Sequence, residues 1–249
     1  MKNIPKSHPR YHSLVTRELI SEAMKKGLVH ETGLIAHGRG EAFDYLLGET
    51  TIPPAEVAEK TAAAALLCAA NPVISINGNV AALAADECIS LAKSVPAKLE
   101  INLFHRSQRR IKKINDLLQN KGVKKIYGLN PDARIPGLES NRAYCSKEGI
   151  FTADVVLVPL EDGDRCQALQ RMGKTVIAID LNPLSRTAQA ATITIVDNVT
   201  RAVPRIEQWM HVLKNLKRSQ LEEMVKEWDN TKNRRAVMTF LSKRLNSLS

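Results

Sequence analysis

The sequence predicts an α/β protein with a Rossmann-like parallel sheet, helices on both faces, and flanking N-terminal and C-terminal helices. Between residues 72 and 204, short apolar runs alternate with helical patterns of about 10 to 15 residues, which is typical of βαβ units. The runs are continuously apolar, as expected of strands buried on both faces. We therefore predict a single domain over residues 1–249, with a helical part at 1–71, a sheet core at 72–204 and C-terminal helices at 205–249.

The N-terminal part is predicted to be helical. One helix covers about residues 7–26, where Pro9 suits the first turn and Gly27 provides a left-handed stop. We interpret GRG at residues 38–40 as a glycine-rich segment that a ligand can approach closely, followed by a short helix that ends near Gly48. An alanine-rich helix then runs from the two prolines at 53–54 to the Asn-Pro pair at 71–72, because a residue before proline disfavours helical geometry.

The sheet core is predicted to contain six strands and three helices. The strands lie at residues 73–76, 98–102, 124–127, 154–158, 175–179 and 192–196. The helices lie near residues 80–93, 107–121 and 165–172, and Gly173 ends the last of them.

After Pro204 the chain is predicted to be helical to its end, in three segments. Apolar residues in these segments suit either packing on the domain or contact with a second subunit, and they include Trp228, Val237, Phe240 and Leu241.

Composition limits the class of protein. The hydrophobic fraction of 44% and charged fraction of 25% are ordinary for a soluble domain. Since no apolar run approaches the roughly 20 residues of a membrane span, and the N-terminus lacks the apolar core of a signal peptide, we expect a cytoplasmic protein without a membrane partner. The four cysteines have no CxxC spacing, which argues against a structural zinc site.

The net charge of +10 raises the question of nucleic-acid binding. Residues 200–249 hold 11 Lys or Arg against 5 Asp or Glu, so much of the excess belongs to C-terminal helices that are predicted to be solvated. Aromatic residues make up only 4% of the chain, which leaves little material for stacking bases. We therefore expect no nucleic-acid partner and keep a basic nucleic-acid-binding protein as the least favoured alternative.

Polar residues follow five of the predicted strands. Along the chain they include Asn77 and Asn79, then Asn102, His105 and Arg106, then Glu161, Asp162, Asp164 and Arg165, then Asp180, Asn182, Arg186 and Thr187, and finally Asn198 and Arg201. Because the carboxyl ends of parallel strands share one edge of a sheet, these loops predict one shared site. Helix caps and turns explain any single loop equally well.

Arginine recurs shortly after the strand ends, at Arg106, Arg165, Arg186 and Arg201. Guanidinium groups bind phosphate bidentately, so the pattern predicts a ligand that bears phosphate. The sequence has no GxxxxGK[ST] loop and no GxGxxG motif, so the standard nucleotide fingerprints are absent. The acidic turn at residues 161–164 suits Mg²⁺ or pairing with nearby arginines, and the metal ligands stay unassigned.

Several long stretches together resemble the archaeal phosphopantothenate synthetase family, also called 4-phosphopantoate:β-alanine ligase. They read IPKSHPRYHSLVTRE, GLIAHGRGEAFDYLLGE, PVISINGNVAAL, INLFHR, ADVVLVPLEDGDR and MGKTVIAIDLNPLSRTAQAATITIVDNVTRAVP. The likeness spans residues 4 to about 204, and no motif of the family is recognised beyond about residue 217.

The resemblance implies an ATP-dependent, AMP-forming ligase of coenzyme A biosynthesis. Such an enzyme condenses 4-phosphopantoate with β-alanine to 4'-phosphopantothenate through an acyl adenylate, releases diphosphate, requires Mg²⁺ and forms a homodimer. Strand-end loops lined with arginine would serve an ATP-dependent phosphotransferase on a small acid as well, and that enzyme is the main alternative.

Site residues follow from the resemblance and from chemistry. The resemblance implies ATP contacts at Arg17, Arg39, Asp180, Leu181, Asn182, Arg186, Thr187, Asn198 and Val199, the last where the family is expected to carry isoleucine. From chemistry we expect Asn77, Asn79, Asn102, His105, Arg106 and Arg165 to bind phosphopantoate and β-alanine, and Arg39, Arg186 and His37 to act in catalysis.

Overall fold

A five-stranded parallel sheet, a two-stranded antiparallel ribbon and eleven α-helices make up residues 4–247, the part of the chain that the computed structural model describes. The strands are β1 (Val73–Ile76), β2 (Lys98–Ile101), β3 (Ala133–Arg134), β4 (Tyr144–Cys145), β5 (Val155–Pro159), β6 (Thr175–Ile179) and β7 (Ile193–Ile195). The helices are α1 (Tyr11–Lys25), α2 (Glu31–Leu47), α3 (Pro53–Cys68), α4 (Gly78–Leu83), α5 (Ala85–Ser94), α6 (Gln108–Asn120), α7 (Gly163–Arg171), α8 (Arg186–Ala190), α9 (Val199–Leu213), α10 (Arg218–Lys226) and α11 (Asn230–Asn246).

The sheet has the strand order β2-β1-β5-β6-β7, and every neighbouring pair is parallel. Val73 of β1 is paired with Lys98 of β2 on one side and with Val156 of β5 on the other. The chain therefore adds β2 to one side of β1 and all later strands to the other. This reversal opens a crevice at the carboxyl ends of β1 and β5, where ligands bind in doubly wound sheets.

Both faces of the sheet are covered, as the apolar runs predict. Leu157 and Ile177 belong to one apolar cluster with residues of α3, α5 and α9. Val156 and Val158 point to the opposite face, where they cluster with Cys166 of α7 and with residues around the ribbon of β3 and β4. The predicted Rossmann-like arrangement is confirmed. Within residues 4–247, none of the helices combines the length and apolar character that a membrane crossing needs.

The C-terminal helices pack within the chain. Val237 and Leu241 of α11 are buried in a third apolar cluster with Leu47 and Leu181, and Phe240 packs against it. Trp228 donates its indole N–H to the Thr192 carbonyl at 2.9 Å. Of the two roles considered for these apolar positions, packing on the domain is the one that the structure displays.

Two predicted elements are wrong. Residues 38–40 are not a glycine-rich segment ahead of a short helix, because α2 runs without a break from Glu31 to Leu47 and ends at Gly48, where φ is +88°. The strand predicted at 124–127 is reduced to a single bridge between Tyr127 and Glu100. Lys124 and Lys125 are exposed there, so this segment lacks the continuous burial that the other strands have.

Three helix boundaries also differ from the prediction. Helix α1 begins at Tyr11, after a turn in which the His8 ring accepts the Arg10 N–H at 3.0 Å. The helix predicted at 80–93 is interrupted at Ala84, which separates α4 from α5. Helix α9 begins at Val199, because the Asn198 side chain caps it by accepting the Thr200 N–H at 3.1 Å. Pro204 therefore lies inside the helix and not before it.

Candidate active site

A cleft of about 330 Å³ opens at the carboxyl ends of β1 and β5. Its walls come from α2, the loops after β1, β2 and β5, α6 and the segment between β3 and β4. Its charged and polar lining consists of His30, Thr32, Arg39, Asn77, Asn79, His105, Arg110, Arg142 and Asp162. The sequence placed Asn77, Asn79, His105 and Arg39 in a site, and the structure brings these four together.

Asn77 joins the loop after β1 to the loop after β5. Its side-chain amide donates to the carbonyls of Pro159 and Leu160 at 2.9 and 3.1 Å, and its oxygen accepts the Val80 N–H at 3.0 Å. The first loop is thereby fixed to the end of β5 while α4 is capped. Asn77 thus shapes the cleft with the polar atoms of its own side chain already engaged.

Asn79 fixes helix α2 against the cleft. Its amide donates to the Gly33 carbonyl at 2.9 Å. The approach is close, since a Cβ on Gly33 would lie 2.4 Å from the Asn79 Oδ1. This contact explains why a helix with three glycines forms here, with tertiary packing overriding their low propensity. Arg39 and His37 are carried on the same helix.

A smaller cavity of about 50 Å³ adjoins the cleft and shares Ala36, Asn79 and Leu160 with it. His37, Leu181, Asn198 and Val199 also line this cavity. Burial lowers the pKa of His37, and the positive charge of Arg17 acts in the same direction. In the described part of the chain, the buried Nε2 of His37 has no hydrogen-bond partner.

The turn after β6 is held by Asp180, which accepts from the Asn182 N–H at 2.9 Å and from the Ser185 hydroxyl. Burial raises the pKa of Asp180, whereas these hydrogen bonds and the charge of Arg39 oppose the rise. Thr187 donates its hydroxyl to the Glu161 carbonyl at 2.7 Å. The turns after β5 and β6 therefore form one surface, on which Arg186 is exposed.

Asn198 is tied to helix α2 by a buried ion-pair network. Its amide donates to Asp44 at 3.0 Å, and Arg201 bridges Asp44 and Asp197 at 2.6 and 2.5 Å. Thr51 donates its hydroxyl to Asp197 at 2.6 Å. Arg201, one of the arginines that suggested a phosphate ligand, is thus engaged by carboxylates of the protein itself.

Four of the predicted site residues outside the cleft lining bind other parts of the protein instead. Asn102 is fully buried and donates to the carbonyls of Arg142 and Tyr144 at 3.2 and 3.0 Å, and Arg106 donates to those of Gly128 and Leu129 at 2.8 and 3.1 Å. Arg165 is fully buried and paired with Glu161. Arg17 lies on α1, and its Nε donates to both oxygens of Glu41 on α2 at 2.8 Å. Its shallow pocket also includes His37.

Two arginines of the cleft were missed by the sequence reasoning. Arg142 is 5% exposed, and its Nη1 donates to the Asn102 carbonyl at 2.8 Å while its Nη2 lies 3.3 Å from a Glu161 oxygen. Arg110 of α6 donates to the Leu28 carbonyl at 3.0 Å. Neither follows a strand directly, so a search confined to strand ends could not find them.

The acidic turn after β5 mainly pairs with arginines. Glu161 contacts both Arg142 and Arg165, and Asp162 lies 3.4 Å from Arg142 Nε. Within residues 4–247, no three His, Cys, Asp or Glu side chains form a group that could hold a metal ion.

His30 and His105 form one wall of the cleft. Their rings stack with centroids 3.8 Å apart and planes 15° from parallel. Partial burial lowers the pKa of His105, and the neighbouring charges of His30 and Arg110 act in the same direction. This lowered pKa disfavours the cationic form of the His105 ring, whereas the arginines of the cleft carry a positive charge.

Comparison with known proteins agrees with this geometry. The chain is 54% identical over 250 residues to a protein of Thermococcus onnurineus named 4-phosphopantoate–β-alanine ligase, covering 100% of this chain and 96% of that protein. It is 55% identical over 250 residues to a protein of the same name from Thermococcus kodakarensis, again with 100% and 96% coverage. A third, from Methanosarcina mazei, is 48% identical over 249 residues with 100% and 98% coverage. The model of one family, described as phosphopantothenate/pantothenate synthetase, matches residues 54–244, and the chain belongs to that family.

Proposed function

We propose that this protein is an ATP-dependent ligase that condenses 4-phosphopantoate with β-alanine to 4'-phosphopantothenate in coenzyme A biosynthesis. The observation that supports this most directly is that the cleft and the smaller cavity beside it share a wall, which Ala36, Asn79 and Leu160 form. The cleft lined by Arg39, Arg110 and Arg142 suits an acid that bears phosphate, and the adjoining cavity holds Leu181 and Val199 of the proposed nucleotide site.

The reaction proceeds through an acyl adenylate in this proposal. The phosphopantoate carboxylate attacks the α-phosphorus of ATP, diphosphate leaves, and the β-alanine nitrogen then attacks the acyl carbon and displaces AMP. Negative charge develops on phosphate oxygens in the first step, which Arg39 and Arg186 would stabilise. The protein also aligns three substrates, which removes much of the entropic barrier.

The nucleotide would contact the turn formed by Asp180, Leu181, Asn182, Arg186 and Thr187, together with Asn198, Val199, Arg39 and Arg17. Supporting this, Arg39 of α2 is near enough to Asp180 for its positive charge to lower the pKa of that carboxyl group. Mg²⁺ would enter as a complex with ATP and neutralise charge on its phosphates. No protein ligand is assigned to it.

We also propose that the enzyme is cytoplasmic and works as a homodimer without a nucleic-acid or membrane partner. Apolar side chains that face solvent on α2 support a second copy as partner: Ile35 is 65% exposed and Leu46 is 39% exposed.

The function is tested by incubating the protein with ATP, Mg²⁺, 4-phosphopantoate and β-alanine, omitting each in turn, and separating the products by chromatography. AMP, diphosphate and 4'-phosphopantothenate should appear only in the complete mixture. ADP would instead identify a phosphotransferase. A folded protein without turnover would exclude both activities.

A further inference from the structure

Asp162 differs in charge from everything else that lines the cleft. Among the described residues, it is the only carboxylate of the lining, whereas Arg39, Arg110 and Arg142 are cationic. The side chain of Asp162 is 44% exposed, so a ligand in the cleft can reach it. The arginines explain how the cleft attracts anionic substrates, but they do not explain why the carboxylate of Asp162 is present among them.

The neighbouring acids of the same turn are arranged differently. The Glu161 side chain is 1% exposed and contacts Arg142 and Arg165, so it is used in holding the loop. Asp164 is exposed and accepts the Arg165 N–H at 2.9 Å, and it does not line the cleft. Within this turn, Asp162 alone is presented to a ligand.

The substrates of the proposed reaction differ in charge in a matching way. ATP and 4-phosphopantoate carry only negative ionised groups, and placing either against Asp162 would be repulsive. β-Alanine is a zwitterion whose ammonium group is the one cation among the three. A carboxylate in an otherwise cationic cleft favours that group through a charge-assisted hydrogen bond.

Resting on the proposed function, we propose that Asp162 binds the ammonium group of β-alanine and thereby positions its nitrogen at the acyl adenylate. The location suits this role, since Asp162 follows β5 at the point where the strand order reverses, close to Asn77 and Leu160. The contact with Arg142 at 3.4 Å keeps the carboxylate in the cleft. The ammonium group releases one proton to water, and the resulting amine attacks the acyl carbon. The bond between that carbon and the AMP phosphate oxygen then breaks, AMP departs, and the second nitrogen proton is released to water.

The two half-reactions separate this role from a general structural one. Exchange of labelled diphosphate into ATP, dependent on 4-phosphopantoate and measured without β-alanine, reports adenylation. Steady-state formation of AMP at varied β-alanine reports capture of the amine. Hydroxylamine, which is uncharged near neutral pH, traps the acyl group as a hydroxamate without needing a partner for an ammonium group.

For Asp162→Asn, we expect the KM for β-alanine to rise roughly tenfold or more, the scale of a lost hydrogen bond to a charged group. Diphosphate exchange and hydroxamate formation should stay within about twofold of wild type. Asp162→Glu keeps the charge and should retain a KM closer to that of wild type. Asp164→Asn is the matched control on the same turn and should leave all three measurements unchanged.

A KM for β-alanine near the wild-type value in Asp162→Asn would overturn the proposal, and so would an equal loss of diphosphate exchange. If Asp162→Asn does not fold, as judged by circular dichroism, Asp162→Glu and Asp162→Ser replace it under the same criteria. Wild-type protein that shows neither exchange nor product would refute the proposed function itself, which is a different result from an active enzyme insensitive to the change at Asp162.

Discussion

Arg39 is one of the three arginines that line the cleft. It lines the cleft from α2, and its charge acts on Asp180 in the turn after β6. We predict that Arg39→Ala lowers kcat for AMP formation by about 10² or more, the scale observed when a group that stabilises transition-state charge is removed. Arg171→Ala, an exposed arginine in the last turn of α7, is the control. Near-normal kinetics in folded Arg39→Ala would remove this residue from the site.

Arg186 is exposed at the start of α8, beside the turn after β5. A Cβ on Gly163 would lie 2.4 Å from the Arg186 Cβ, so the backbone there is closely packed although the guanidinium is accessible. We predict that Arg186→Ala also lowers kcat by about 10² while leaving the melting temperature unchanged within error. A change in stability with unaltered kcat would show that its role is packing.

Glu59 is fully buried beside Arg205, whose Nε donates to it at 2.8 Å. Burial raises the pKa of Glu59 to about 8, against the opposing effect of Arg205. The folded protein then binds a proton that the unfolded chain has released, so this group makes the free energy of unfolding fall as pH rises from about 4.5 to about 8. We predict that Glu59→Gln flattens that decline by at least about 1 kcal/mol in urea titrations across this range. An unchanged slope would mean that Glu59 is ionised when folded.

At the scale of elements, helix α2 contains a matched pair of glycines. A Cβ on Gly33 would lie 2.4 Å from Asn79 Oδ1 and 2.8 Å from Val29 Cγ1, whereas one on Gly38 meets nothing within 4 Å. We predict that Gly33→Ala destabilises the protein by about 1 to 3 kcal/mol through overpacking. Gly38→Ala should stabilise it by up to about 1 kcal/mol through helix propensity. Equal effects in urea unfolding would contradict this account of why α2 lies so close to the cleft.

The same helix shows what a single sequence can and cannot predict. The strands of the main sheet were found because continuous burial on both faces leaves an unbroken apolar run, as in Val155–Pro159. Only the second half of helix α2 was predicted, because its three glycines lower the helix propensity of the first half. The contact with Asn79 that stabilises the first half joins residues 46 positions apart. Local sequence patterns do not indicate contacts between residues that are far apart in the chain.

The same distinction between local patterns and long-range contacts applies to the residues of the candidate site. Asn77, Asn79 and His105 were found because strand ends share one edge of a parallel sheet, a rule that needs only the order of elements. Arg142 was missed because its segment returns to the cleft by way of the ribbon of β3 and β4, and nothing local to its sequence signals that return. The charge on Arg165 was recognised, but its burial against Glu161 depends on the packing of α7 under β1 and β5.

For the whole molecule, we predict a homodimer in solution. Light scattering coupled to gel filtration should give a mass about twice the 27.6 kDa of one chain. Replacing the exposed Ile35 of α2 with Lys should shift the mass toward one chain, whereas Val212→Lys on α9, equally exposed at 65%, should not. A wild-type mass of one chain would leave the apolar face of α2 without the proposed partner.

The packing of α11 has a consequence for the order in which the molecule is made. Asn230 donates to the carbonyls of Ala188 and Ala191 at 3.0 and 2.9 Å, Arg234 donates to the Pro183 carbonyl at 2.9 Å, and Val237 packs with Leu181. The proposed nucleotide turn is therefore completed by a helix that leaves the ribosome after every strand of the sheet. A nascent chain that has finished its entire sheet would still lack the outer support of that turn, so competence to bind nucleotide should be acquired only after α11 has emerged from the ribosome.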